Sequence, residues 1–152
     1  MTEQMPGELI YEYTIKSTGV TSYGVPALDA LLSGRSDIPA PGARYDLTFE
    51  GPMAGPRLRG TVKLADYVQV RPDGRVQLHI HAEITTEDGK KIALYADGIA
   101  AFDEGSPLGD LRENVTLMTA EPDYAWVNSL QVWARGTVDL ARGEAHVAGY
   151  VV

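Results

Sequence analysis

From residue 43 onward, apolar and polar residues alternate with a period of two. In 43–51, Tyr45, Leu47 and Phe49 stand opposite Asp46, Thr48 and Glu50. In 56–64, Leu58, Val62 and Leu64 stand opposite Arg57, Arg59, Thr61 and Lys63. In 76–85, Val76, Leu78, Ile80, Ala82 and Ile84 share one face, and Gln77, His79, His81, Glu83 and Thr85 share the other. Side chains of a β-strand point alternately to opposite faces, so the pattern predicts strands. Further strands are read at 9–15, 66–70, 90–102, 114–120, 125–140 and 144–152, with a bend at Gly98 and a break or bulge at Gly136.

Turn residues punctuate these runs. Pro72 pre-sets its φ and Asp73-Gly74 closes a hairpin; the run 86–89 ends in Asp88-Gly89, and 140–144 makes a last tight turn. Helix signals are few. The best is 24–34, where Pro26 suits a first turn, Leu28, Leu31 and Leu32 share a side and Gly34 can close the end. A weaker helix candidate lies at 106–114.

About eight to ten strands with short connections and hardly any helix make an all-β protein, a sandwich or a barrel. The barrel is preferred. The last strand, HVAGYVV, is apolar and unguarded, as a closing strand is, whereas an edge strand carries charge or proline. Leu28, Leu31 and Leu32 cannot form a core alone, so segment 24–42 is expected to rest on the barrel as a lid or plug.

Composition narrows the function classes. The chain of 152 residues suits one domain, 1–152, with a single core. Its 21 acidic and 13 basic residues give a net charge of −8, which argues against nucleic acid and anionic membranes as partners. There is no cysteine, which excludes disulfides, thiolate metal sites and cysteine nucleophiles and fits a reducing cytoplasm. The first residues carry no basic and apolar leader pattern, and no run reaches the roughly 20 apolar residues of a membrane helix. A cytoplasmic bacterial protein is expected.

Several segments together resemble a bacterial family of small single-domain barrels, filed as domain of unknown function number thirty-two thirty-seven. They are FEGPMAGPRLRGTV (49–62), DYVQVRPDGRVQLHIHAEITTEDGKKI (66–92), YAWVNSLQVWARG (124–136) and HVAGYVV (146–152). The resemblance implies an antiparallel barrel, of lipocalin-like or allene-oxide-cyclase-like form. That family usually carries an Asp and an Arg, two apart, where this chain has His79 and His81. Segment 24–42 also looks longer here than is typical. Both departures imply a specialised ligand.

The candidate chemistry starts from His79 and His81. Either face of their strand can point inward. If the polar face lines the lumen, either imidazole can act as a base near neutral pH, oriented by Glu83 or Asp97. If the apolar face fills the interior, both rings are merely solvated. The two histidines are roughly 6.6 Å apart along the strand and could converge on one ion, with His146 or Asp97 as a third ligand. His-x-His alone is a common accident, so the expected site contains no metal and no cofactor. Tyr13, Tyr95, Trp126, Trp133 and His146 supply an aromatic lining, Tyr124 and Asn128 hydrogen bonds to a developing oxyanion, and Arg57 and Arg59 a carboxylate clamp. No Gly-rich phosphate loop and no nucleophile elbow is visible.

The leading expectation is a barrel holding a small, partly apolar molecule, with cofactor-free acid–base chemistry of the isomerase, lyase or cyclase kind. The alternatives are a ligand carrier or sensor without chemistry, and a structural homo-oligomer, such as a dimer, with a packed interior.

Overall fold

The computed structural model describes residues 7–151. Met1–Pro6, where the leader expectation begins, and Val152 lie outside them. Eight antiparallel strands form a closed barrel in chain order. They are β1 (Glu8–Ser22), β2 (Ala43–Ala54), β3 (Gly60–Val70), β4 (Val76–Thr86), β5 (Lys91–Phe102), β6 (Leu108–Met118), β7 (Val132–Asp139) and β8 (Glu144–Val151). Closure comes from β1 against β8, with Tyr13 opposite Val147 and Leu9 opposite Tyr150. No edge is left over, which explains why the apolar last strand needs no protecting charge. The expected barrel and short N-terminal helix are both present.

Connections alternate between the two ends. The helix α1 (Leu28–Leu32), the turns at 71–75 and 140–143 and the loop at 103–107 share one end. A 3-10 segment, Pro122–Ser129, sits at the other. Both are end pieces, and the described residues include no other helix. Among the described residues nothing therefore covers the barrel wall from outside, and the apolar face of every strand has to fill the interior. Ile84, Ile92, Val62, Val70, Val115, Val132 and Val147 are all fully buried there. Among the described residues no helix is long and apolar enough to cross a membrane.

Glycines allow the tight curvature. A Cβ on Gly98 would lie 1.9 Å from the Arg112 carbonyl oxygen, and one on Gly136 would lie 2.1 Å from that of His146. Both are inward-facing corners where neighbouring backbones nearly touch, as a small barrel requires. Gly74 and Gly89 have φ of 91° and 84°, the left-handed conformation expected of the two hairpin turns.

The structure corrects four element boundaries. Residues 56–64 and 66–70 are not two strands, since 60–70 form the single strand β3 and Arg57 and Arg59 precede it. The helix candidate at 106–114 is the start of β6. The strand read at 125–140 begins only at Val132, after the 3-10 segment opened by Pro122. β1 also runs on to Ser22, past the expected end at 15.

Candidate functional site

Among the polar residues of the interior, Tyr11 and Tyr13 on β1, Asp66 on β3 and Glu113 on β6 act on one another. Each occupies an inward slot. On β3 the slots run Val62, Leu64, Asp66, Val68, and on β6 they run Leu111, Glu113, Val115, Leu117. Asp66 is 8% exposed and Glu113 4%. Together with Tyr13 they line a narrow cavity of about 50 Å3 inside the barrel. The rest of its wall is apolar, and Leu28 and Leu32 of α1 close its mouth beside Phe102 and Leu140.

The β3–β4 ladder yields locally to hold Asp66. Pairing runs from Gly60–Thr86 to Asp66–Ile80 and resumes only at Gln69–Gln77. In the gap, the backbone N–H of His79 donates to Asp66 Oδ1 at 2.9 Å. The carboxylate thus takes the place of a strand carbonyl. Burial pushes the Asp66 carboxyl up to about 6, against the pull of that N–H. Glu113 has no such support, and its Oε1 is buried without a hydrogen-bond partner. Burial first, and the Asp66 charge second, push its carboxyl up to about 8. At neutral pH the pair therefore holds one ionised and one protonated carboxyl, the division of labour that acid–base catalysis uses.

The two tyrosines belong to the same unit. Their rings stack with centroids 5.8 Å apart and planes 10° from parallel. Burial raises both hydroxyls, and the Glu113 charge adds to it. Tyr11 Oη is buried without a partner. Its ring fills the space that Gly149 leaves open, where a Cβ would come within 2.4 Å of it.

His79 and His81 are not in the lumen. Both rings lie exposed on the outer wall, because the apolar face of β4 is needed inside. There they form an aromatic cluster with Tyr67 and Tyr95; the two imidazole centroids are 5.2 Å apart, and each lies 5.3–5.5 Å from Tyr95. The cluster borders an open outer groove of about 650 Å3, with Arg44, Arg75 and half-buried Asp97, which pairs with His79 across the sheet. Glu83 is drawn instead to Lys91. Among the described residues no group of three or more His, Cys, Asp or Glu side chains could hold a metal ion.

The other expected lining residues are scattered. Arg57 lies over the Trp126 ring at 3.8 Å and Arg59 pairs with Glu87 at 3.4 Å, so they clamp nothing together. Tyr124 donates to Asp88 Oδ1 at 2.8 Å. Asn128 bonds both backbone groups of Thr119 and pins the end of the 3-10 segment. Trp133 is exposed, and His146 lies outside beside Thr14 and Glu12. Of all the expected site residues, only Tyr13 lines the interior cavity, while Tyr124 and Trp126 pack half-buried against the core from the 3-10 segment. Asp66 and Glu113 were missed, although a strand-period count does place a carboxylate in each inward row.

The fold has relatives of known structure. A protein of unknown function from Clostridium acetobutylicum superposes with a TM-score of 0.77 at 21% identity, over 97% of this chain and 99% of its own. A β-barrel-like protein from Acinetobacter baumannii gives 0.73 at 18% identity, over 99% of both chains. An enzyme from Penicillium herquei gives 0.57 at 20% identity, over 99% of this chain and 98% of its own. At such identities the likeness is one of fold. No curated protein matches the chain in sequence. The sequence pattern of the proteins of unknown function DUF3237 matches residues 45–152, all of β3–β8 and nearly all of β2, and the chain belongs to that family.

Proposed function

We propose that the barrel interior is the site of an acid–base enzyme, of the isomerase, lyase or cyclase kind, acting on a small, partly apolar molecule. One observation carries this reading. Asp66 and Glu113 line the same cavity, in a wall otherwise built of Leu, Val, Ile, Phe and Ala with Tyr13. An uncompensated buried carboxyl costs several kcal/mol, and a barrel that only had to pack would do better with leucine there. Perturbed carboxyls in a cavity mark functional sites.

In the proposed reaction the Asp66 carboxylate removes a proton and the Glu113 carboxylic acid delivers one, with Tyr13 lining the same floor. The proton lost by the substrate resides on Asp66 and the one gained comes from Glu113, so an isomerisation balances. The apolar walls keep water from the intermediate. A cavity of about 50 Å3 is below the ~300–1,000 Å3 of ligand sites, so α1 must lift to admit a substrate. Its surroundings suit that movement. Gly24 and Gly34 bracket α1 in left-handed conformations, with φ of 72° and 78°, and Tyr45 fastens it through a hydrogen bond to the Pro26 carbonyl. The Penicillium herquei barrel, itself an enzyme, is compatible with this reading.

The test is deuterium wash-in. The protein is incubated in D2O with a panel of small ketones, enones and imines, and carbon-bound protons are followed by 1H NMR. Exchange above the buffer rate, lost in Asp66→Asn, supports the reading. Uptake of a panel member without exchange, in a protein whose Asp66→Asn variant binds equally well, would make the barrel a carrier.

A further inference from the structure

We infer that the barrel interior binds a small organic cation, an ammonium or iminium group on an apolar body, with Asp66 and Glu113 as its counter-ions. The inference rests on the interior being the site and names the class of molecule that enters it.

The argument is one of charge and donors. Among the described residues that line the cavity, the polar side chains are Tyr13, Asp66 and Glu113. No guanidinium, ammonium or imidazole is among them. Asp66 is the charge that acts on Glu113, and Glu113, Tyr11 and Asp66 act on Tyr13, all of them neutral or anionic. An anionic ligand would therefore meet carboxylates with no cation to offset them. A neutral ligand would leave the negative charge of the pair uncompensated. A cation supplies the missing counter-charge and gives the unpartnered Glu113 Oε1 a donor. The Tyr13 ring offers a further favourable contact. The net charge of −8 also draws cations toward the protein. The outer groove has the opposite character, since Arg44 and Arg75 border it.

The small cavity and its apolar wall set the shape: a cationic head at the floor and a short hydrocarbon body toward α1. The same arrangement stabilises an intermediate that becomes positive on protonation by Glu113.

The experiment titrates n-butylammonium chloride into the folded protein in a buffer free of amines at pH 7. n-Butanol, sodium butyrate and potassium chloride at matched ionic strength serve as comparisons. The thermal midpoint and the ring resonances of Tyr11 and Tyr13 report binding. The expected result is a saturable effect of n-butylammonium, roughly ten-fold or more tighter than n-butanol. The thermal midpoint should rise and the Tyr11 and Tyr13 resonances should shift over the same concentration range. The double variant Asp66→Asn, Glu113→Gln should lose both effects while keeping its circular dichroism spectrum. Equal binding of butanol, tighter binding of butyrate, or an ammonium effect that survives in the double variant would overturn the inference. If ammonium fails while Asp66→Asn still abolishes deuterium wash-in, the acid–base site stands and only the cation class falls.

Discussion

Strand β4 separates two polar clusters that differ in almost every physical respect. Outside, His79 and His81 sit with Tyr67 and Tyr95 in water. Inside, across one sheet thickness, Asp66 and Glu113 sit among hydrocarbon. The outer residues are the ones chemistry usually recruits, yet solvent leaves them little to do. The inner ones are ordinary carboxyls made unusual by where they are. The two meet at a single group, because the His79 backbone N–H holds Asp66 while its ring points the other way. Residue type is a weaker guide to a site than the dielectric around the residue.

The sharpest test compares the two clusters directly. Asp66→Asn or Glu113→Gln should cut catalysed exchange by roughly 100- to 10,000-fold, the usual worth of a general acid or base. His79→Gln with His81→Gln should leave the rate within about two-fold, since surface substitutions of this kind touch no buried contact. Wash-in kinetics on all three variants read both. A large loss from the histidine pair and none from the carboxyls would invert the comparison.

The next effect is on stability against pH. Both inner carboxyls titrate above their ordinary values of 3.8 and 4.5, at about 6 and about 8. The native state thus keeps protons that the unfolded chain has lost. Their contribution is complete below about pH 4 and is lost as pH rises through 6 and then 8. Denaturant unfolding of the wild type minus that of Glu113→Gln should show a loss of order 3–5 kcal/mol between pH 4.5 and 8.5. A flat difference would mean that Glu113 is solvated in the native protein.

A smaller effect probes the floor itself. Gly149→Ala drives a Cβ against the Tyr11 ring and should cost ~1–3 kcal/mol of stability, read by denaturant midpoint. The smallest is on the outside, where His79→Gln and His81→Gln should each shift stability by no more than about 0.5 kcal/mol.

Much of the architecture was legible before any coordinates. The two-residue period of 43–51 and 76–85 implied strands, Asp73-Gly74 and Asp88-Gly89 implied hairpins, and the unguarded HVAGYVV implied closure. These are local properties, set by side-chain alternation and by backbone conformations that a few residue types allow. The places where the pattern was misread are instructive. The strands expected at 56–64 and 66–70 are one strand, β3, unbroken at Ala65, and the helix expected at 106–114 is the start of β6, with Gly109 and Glu113 in inward slots. In both strands an inward slot holds a carboxylate among apolar neighbours, Asp66 on β3 and Glu113 on β6.

Which face of β4 looked inward was beyond the sequence. The face of His79 and the face of Leu78 are equally consistent with the alternation of a single strand. The choice depends on whether something packs on the barrel's outer wall, and α1 and the 3-10 segment turn out to sit at the ends instead. Only closure of all eight strands makes the interior a low-dielectric space that the apolar faces must fill. Only closure brings Asp66 of β3 and Glu113 of β6, 47 positions apart in the chain, close enough for one charge to raise the other's pKa. The strands and turns follow from local pattern, whereas the buried carboxyl pair arises only because the barrel wraps it away from water.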